Sequence, residues 1–320
     1  MTTIDAGAAT AGLTRRDLGP DDLDDVTALL RASDVAVLGR VDFTEDEIAA
    51  DLRRQDAEQH GWYAADGTLV AYGWVSREGD SERAELDVYV LPDHDGRLGV
   101  AALEVLEERG RELAREAGHH RVVLGMGVYR QDERTRRWLH DLGYDVETTF
   151  TRMRIDLDDQ AGVVTPAERV RVRRSGMSEE DLRVAHRIES TSFTEHFGHV
   201  EKTYESWRRR LTERGPEFAE VWLAEVDGEP VGLLVGTAPF APDENAGYVR
   251  TLGTLPTARG MGVGTALLRA YFAASAAVGR SAVLLHVDVA NVTGALRIYE
   301  SVGMRPVLEI DAWTKRSPVG

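Results

Sequence analysis

Two periods of apolar and polar positions run along the chain, and their order repeats. In each half an amphipathic stretch at helical spacing comes first, at residues 21–32 and again at 178–191. Acidic residues crowd the start of both, and Ser178 followed by Asp181 loosely fits a capping box. Two strand-like runs then flank a turn: 62–65 and 69–75 around Asp66-Gly67, and 221–226 and 231–237 around Asp227-Gly228. Asp-Gly between β-rich runs predicts a hairpin, because these residues tolerate the left-handed turn conformation. A longer strand leads through a loop into a helix, 84–91 into 100–116 and 247–255 into 264–278. A further strand (121–125; 282–287), a short helix (132–141; 292–301) and a last strand close each half. The pattern predicts one mixed α/β domain used twice.

Individual residues repeat with the elements. Arg15-Arg16 matches Arg173-Arg174, Trp62-Tyr63-Ala64 matches Trp222-Leu223-Ala224, Leu91-Pro92 matches Leu255-Pro256, and Leu142-Gly143-Tyr144 matches Val302-Gly303-Met304. The offset stays between 158 and 164 residues. Four matches in order, at nearly constant spacing, make a duplicated domain of about 150 residues. The boundaries that follow are a disordered tail at 1–12, a first domain at 13–157, a linker at 158–168 and a second domain at 169–320. Asp158, Asp159, Gln160, Gly162 and Pro166 break any periodic pattern in the linker.

Length and charge narrow the partners. A chain of 320 residues agrees with two domains, and 42% apolar residues suffice for two cores. The formal charge of −17 argues against nucleic acid and against an anionic membrane surface, since both need a basic face. No apolar run approaches a membrane span, and the N-terminus lacks the apolar core of a secretory signal, so a cytoplasmic protein is expected. The absence of cysteine excludes disulfides, thiol nucleophiles and Cys-ligated metals.

The candidate chemistry sits at Arg259-Gly260-Met261-Gly262-Val263-Gly264, between a strand and a helix. Unpaired N–H groups at a helix start cradle phosphate, and glycines let the backbone approach it. The string lacks the Lys-Ser/Thr ending of a P-loop, and a Rossmann site wants an acid about 20 residues on. Alone it fits either a phosphate cradle or a tight capped turn. Its context resembles the acetyl-CoA signature of the GNAT family of N-acetyltransferases: Leu255-Pro256-x-x-Arg259-Gly260-x-Gly262-x-Gly264-x-x-Leu267-Leu268, then Asn291-x-x-x-Ala295-x-x-x-Tyr299-Glu300-x-x-Gly303-Met304. The resemblance covers most of 170–315 and, through the repeat, more weakly 14–156. The tandem arrangement with one degenerate copy is similar to that of the mycothiol synthases within that family.

That resemblance implies two tandem GNAT-like α/β domains, each a mixed, mostly antiparallel central sheet flanked by helices. It implies acetyl-CoA as cosubstrate and no metal. The loop from Arg259 through Gly260, Met261, Gly262, Val263 and Gly264 to Thr265 would hold the pyrophosphate. Leu252 and Thr254 would pair with the pantetheine arm through main-chain groups, Gly253 would form a strand bulge beside the thioester, and Asn291 would touch pantetheine. Tyr299 would protonate the departing thiolate, a role suited to a phenol of ordinary pKa about 10.

Only the second copy carries these groups. In the first, Leu98 and Val100 stand where Gly262 and Gly264 are, Asp95 stands for Arg259, and Leu139 matches Tyr299. The general base is open. Mycothiol synthases carry a Glu early in the strand where this chain has Tyr248. His286 shares a strand face with Asp288, and the alternative for it is plain packing. Glu244 reads as a surface carboxylate or a base. His196, Phe197 and His199 in Glu195-His196-Phe197-Gly198-His199 read as acceptor contacts or as plain loop, and no third ligand supports a metal there.

The expected activity is direct acetyl transfer from acetyl-CoA to the amine of a small molecule, by the second domain of a monomer or homodimer. A mycothiol synthase, a peptide N-terminal acetyltransferase and a non-catalytic acetyl-CoA-binding module are the alternatives. A nucleotide-binding oxidoreductase would leave the tyrosine segment unexplained.

Overall fold

The computed structural model describes residues 10–77, 79, 81–94, 96–157, 169–193, 203–212, 219–237, 245–289 and 295–319. They form two units. The first comprises Met1–Phe150 and Glu309–Gly320, the second Thr151–Leu308.

In the first unit, β1 (Thr14–Asp17), β2 (Ala57–Tyr63), β3 (Leu69–Arg77), β4 (Arg83–Val90) and β5 (Arg121–Tyr129) lie in that order. Beyond β5 comes the end of β12 (Arg305–Pro318), paired antiparallel from Ile310 against Tyr129 to Pro318 against Arg121. All neighbours here are antiparallel except β4 and β5. The helices are α1 (Leu23–Leu38), α2 (Glu45–Asp51), α3 (Gly96–Glu116) and α4 (Glu133–Asp141). Leu103 and Leu106 of α3 pack with Leu86, Leu124, Leu139 and Trp313 in one core. Lys315 reaches the buried Glu107 of α3 at 2.8 Å, so the last strand is tied in by a charge pair as well as by its ladder.

The second unit repeats this plan. Its strand order is β6 (Asp145–Asp156), β11 (Ala282–Asp288), β10 (Ala246–Thr254), β9 (Glu229–Thr237), β8 (Ala219–Val226) and β7 (Val170–Arg174). Here β10 and β11 are the parallel pair. Its helices are α5 (Glu179–Ser192), α6 (Tyr204–Thr212), α7 (Val263–Ala277) and α8 (Ala295–Ser301). In α7, Val263, Leu267, Tyr271 and Ser275 recur every four residues and are buried, as a core-facing stripe requires. The first three join Met153, Phe272, Leu285, Tyr299 and Met304. Both hairpins form at the Asp-Gly turns; Asp227 and Gly228 take φ of 53° and 88°.

The long strands divide between the units. Residues 151–156 of β6 belong to the second unit and 309–318 of β12 to the first. The sequence assigned 13–157 to one domain and 169–320 to the other, because periodicity follows the chain and not strand pairing. Residues 1–9 and 158–168 lie outside the described ones, while Thr10–Leu13 forms a turn closed by Leu13 N–H donating to the Thr10 carbonyl at 3.0 Å.

Candidate active site

In the second unit β10 and β11 pair over only three residues, from Ala246 against Ala282 to Tyr248 against Leu284. Both strands continue, so beyond Tyr248 they separate and the β10 edge on that side is free of β11. The opposite edge stays paired with β9 as far as Thr254 against Gly232. The register shift of β10 falls between Val249 and Thr251. This corrects the expectation of a bulge at Gly253. That glycine serves close packing: an added Cβ would lie 3.2 Å from Ser192 at the end of α5.

The glycine loop stands at the mouth of this opening. Gly260 and Gly262 take φ of 80° and 81°, and an added Cβ at either would meet nothing within 4 Å. Gly262 is the N-cap of α7 and supplies no side-chain cap. The first helical bond is Ala266 N–H to the Gly262 carbonyl, which leaves the amides of Val263, Gly264 and Thr265 unpaired by helix geometry. The Met261 amide is turned to the Ala258 carbonyl at 3.3 Å and that of Arg259 to Pro256 at 3.4 Å, so these two contribute less. Exposed and rich in free N–H groups, the loop fits a pyrophosphate.

Tyr299 projects from α8, 9% exposed. Burial, with Tyr248 nearby, pushes its hydroxyl up to about 12, and no described residue hydrogen-bonds to it. Tyr248 and His286 meet, with Oη to Nδ1 at 2.9 Å. The other ring nitrogen, Nε2, lies 3.0 Å from Arg152 Nε of β6. Arginine only donates, so Nε2 accepts and the neutral ring carries its proton on Nδ1. His286 then donates to the Tyr248 oxygen and has no lone pair left for an amine proton. Burial raises Tyr248 above the usual phenol range against the pull of Arg152 and Arg250, so it too is protonated at neutral pH.

This geometry agrees with the comparisons. The model of the Acetyltransferase (GNAT) family matches residues 23–144 and 182–304, more than half the chain and both copies. The chain belongs to the GNAT acetyltransferase family. A mycothiol acetyltransferase of Acidothermus cellulolyticus is 29% identical over 252 residues, covering 74% of this chain and 73% of that one. One of Streptomyces avermitilis is 27% identical over 312 residues, covering 94% of each. Among solved structures, a GCN5-related N-acetyltransferase from Sphaerobacter thermophilus superimposes with a TM-score of 0.76 over 97% of this chain and 96% of that one, at 23% identity. A tandem GNAT protein from the clavulanic acid biosynthesis pathway gives 0.74 over 96% and 99%, at 16% identity. The chain is thus a tandem GNAT acyltransferase, of a family whose cosubstrate is acetyl-CoA.

The first GNAT copy treats the same place differently. Trp138 of α4 covers the start of α3: its indole nitrogen is 3.2 Å from where a Cβ on Gly96 would lie, and its ring leaves no room for one on Gly99. Arg134 stacks over Trp138 at 4.9 Å and donates to the carbonyls of Leu91, Pro92 and His94. The equivalent of Trp138 is Ile298. Tyr144 N–H closes on the Leu139 carbonyl as Met304 N–H closes on that of Tyr299, which fixes the two frames. Ile298 stays 3.9 Å from a Cβ on Gly264, ordinary contact that leaves the second loop open.

Two neighbours of the GNAT cleft were missed by sequence reading. Glu189 of α5 acts on Arg250, and its Oε2 is buried without a hydrogen-bond partner. Ser192 Oγ, one turn later and against Gly253, is likewise unpartnered. Helix periodicity marks both as inward-facing, but only packing of α5 on β10 gives them meaning. Arg152 falls in the second unit. His196, Phe197, His199, Asn291 and Glu244 lie outside the described residues. Among the described residues no His, Asp or Glu group is arranged to hold a metal, and no helix is long and apolar enough to cross a membrane.

Proposed function

We propose that the second unit transfers an acetyl group from acetyl-CoA directly to the amine of a small molecule. The observation that carries this reading is the open glycine cradle beside the separated strands β10 and β11, with the buried Tyr299 hydroxyl close to Tyr248. When bound, acetyl-CoA supplies the acetyl thioester. The amides of Gly260, Gly262, Val263, Gly264 and Thr265 would hold its pyrophosphate, with Arg259 adding charge at the exposed rim. The free β10 edge at Leu252 and Thr254 would take the pantetheine as an added strand. Tyr299, protonated at neutral pH, has the proton to give to the departing sulfur.

The proton of the acceptor amine needs another group, since His286 is held by Arg152. Glu189 is the carboxylate on the acceptor side with an unused oxygen, and we assign it that role or the binding of the ammonium. Positioning supplies more than proton transfer: effective molarities reach ~10⁵–10⁸ M against ~10²–10⁴-fold for a general acid. An acceptor of the mycothiol type is a second reading, supported by the names of the relatives and weakened by Tyr248 in place of their Glu.

Thiol release from acetyl-CoA by the full chain, with a panel of small amines, tests the proposal. Amine-dependent release with one acetylated product supports it. Acetyl-CoA binding without turnover on any amine sinks it in favour of a binding module.

A further inference from the structure

The first unit holds a cavity of about 640 Å³ between α1, β4, β5 and α4. It lies where β4 and β5 separate, since those strands pair only from Arg83 against Val123 to Glu85 against Gly125. Trp138 and Arg134 close it toward the α3 start, so a pyrophosphate has no cradle there. The remaining wall has a consistent chemistry. Asp34, Asp87 and Asp132 line it, with the aromatic faces of Tyr89, Tyr129 and Trp138.

Asp87 is the centre of that wall. Its carboxylate accepts from the Tyr89 hydroxyl at 2.8 Å and from the Val88 amide at 2.9 Å, both neutral donors. Burial above all, and to a lesser degree the charges of Asp51 and Asp132, lift it to about 7. The titratable groups around it are acids and phenols: Asp51 of α2, Asp132 before α4, Tyr72 of β3 and Tyr89, with Asp34 of α1 and Tyr129 of β5 acting on Tyr89. The nearby guanidiniums are engaged elsewhere. Arg134 is on backbone carbonyls, Arg137 faces Glu133 at 3.8 Å, and Arg54 is on Asp56 and the Trp74 ring. A buried carboxylate among aromatic faces, with hydroxyl and amide donors only, wants a cation with an apolar body.

We infer that this cavity is a second binding site, separate from the glycine cradle, for a small organic molecule carrying a protonated amine, with Asp87 as its counter-ion. The inference does not depend on which unit transfers acetyl groups. Occupation would couple to protons. A carboxyl raised in the native state binds more protons than in the unfolded chain, so it lowers stability as pH rises from about 4 to about 7. A bound ammonium favours the ionised form and removes that loss.

The test uses three molecules of similar length and different charge on the full chain: 1,4-diaminobutane, 1,4-butanediol and succinate. Calorimetry reads affinity, and the indole N–H resonance of Trp138, assigned with Trp138→Phe, reports the place. The diamine is expected to bind and shift that resonance, about tenfold more tightly at pH 8 than at pH 6 as Asp87 ionises. The diol and succinate are expected to leave it unmoved. Asp87→Asn, near-isosteric and neutral, should weaken the diamine at least tenfold, as should Gly127→Leu, which fills the cavity. Glu189→Gln in the other unit should leave the Trp138 shift unchanged. A Trp138 resonance indifferent to the diamine, equal response to the diol or succinate, or unaltered binding by Asp87→Asn overturns the inference.

Discussion

The two loops that follow β4 and β10 start from the same Leu-Pro and precede helices of the same kind, yet they end in opposite states. After β10 the glycines leave empty space above the first turn of α7. After β4 the glycines at the start of α3 bring the helix against an indole instead. A glycine by itself therefore does not mark an anion site. What decides is the residue facing it from the next helix, Ile298 in one unit and Trp138 in the other. A single large side chain converts a cradle into a piece of core, and Arg134 then spends its charge on the carbonyls of the loop. An acidic cavity lies beside Trp138, lined by Asp34, Asp87 and Asp132.

Five changes break or sharpen this contrast. The largest effect is expected from ending the chain after Leu308. The first unit then loses the strand beside β5, the core residue Trp313 and the Lys315 pair of Glu107, and amide protection along α3 and β5 should collapse in hydrogen-exchange measurements. Next, Gly262→Val puts a side chain into the cradle at a left-handed φ, where strain costs about 1–2 kcal/mol and lost charge-assisted hydrogen bonds about 1.5–3 each. Acetyl-CoA affinity by calorimetry should fall at least about a hundredfold on these figures.

Tyr299→Phe comes third, with kcat reduced by about 10²-fold and acetyl-CoA binding retained, as removal of a general acid predicts. Turnover equal to the parent would take Tyr299 out of the chemistry. The mirror change in the first unit is Gly99→Ala, which forces Trp138 aside. A loss of about 1–3 kcal/mol in denaturant unfolding is expected, with the acetyl-CoA affinity of the protein unaltered. The smallest effect is on shape rather than size. Arg152→Gln removes the donor to His286 Nε2, and the pH–rate profile should gain an ionisation that the parent lacks. An unchanged profile would mean that Arg152 does not hold the ring.

Local signals in the sequence carried far. The Asp-Gly hairpins and the acidic helix starts depend on residues a few positions apart, and they form where the pattern places them. The glycine loop was legible for the same reason, because its residues are contiguous. Tyr248 was singled out through the family resemblance and His286 from strand period, but their contact was not, since it joins positions 38 residues apart. Glu189 carried no signal beyond facing inward on a helix.

By itself the sequence determined that one α/β fold is present twice, where its turns fall, and that the glycine loop is kept in the second copy. These follow from steric preferences and hydrophobic period, which act over a few residues. The tertiary structure alone decided that residues 151–156 and 309–318 are divided between the units, that Arg152 takes the histidine lone pair, and that Trp138 fills one cradle while Ile298 spares the other. Such outcomes depend on which distant surfaces meet and how much volume lies between them. Neither is written in the order of neighbours along a chain.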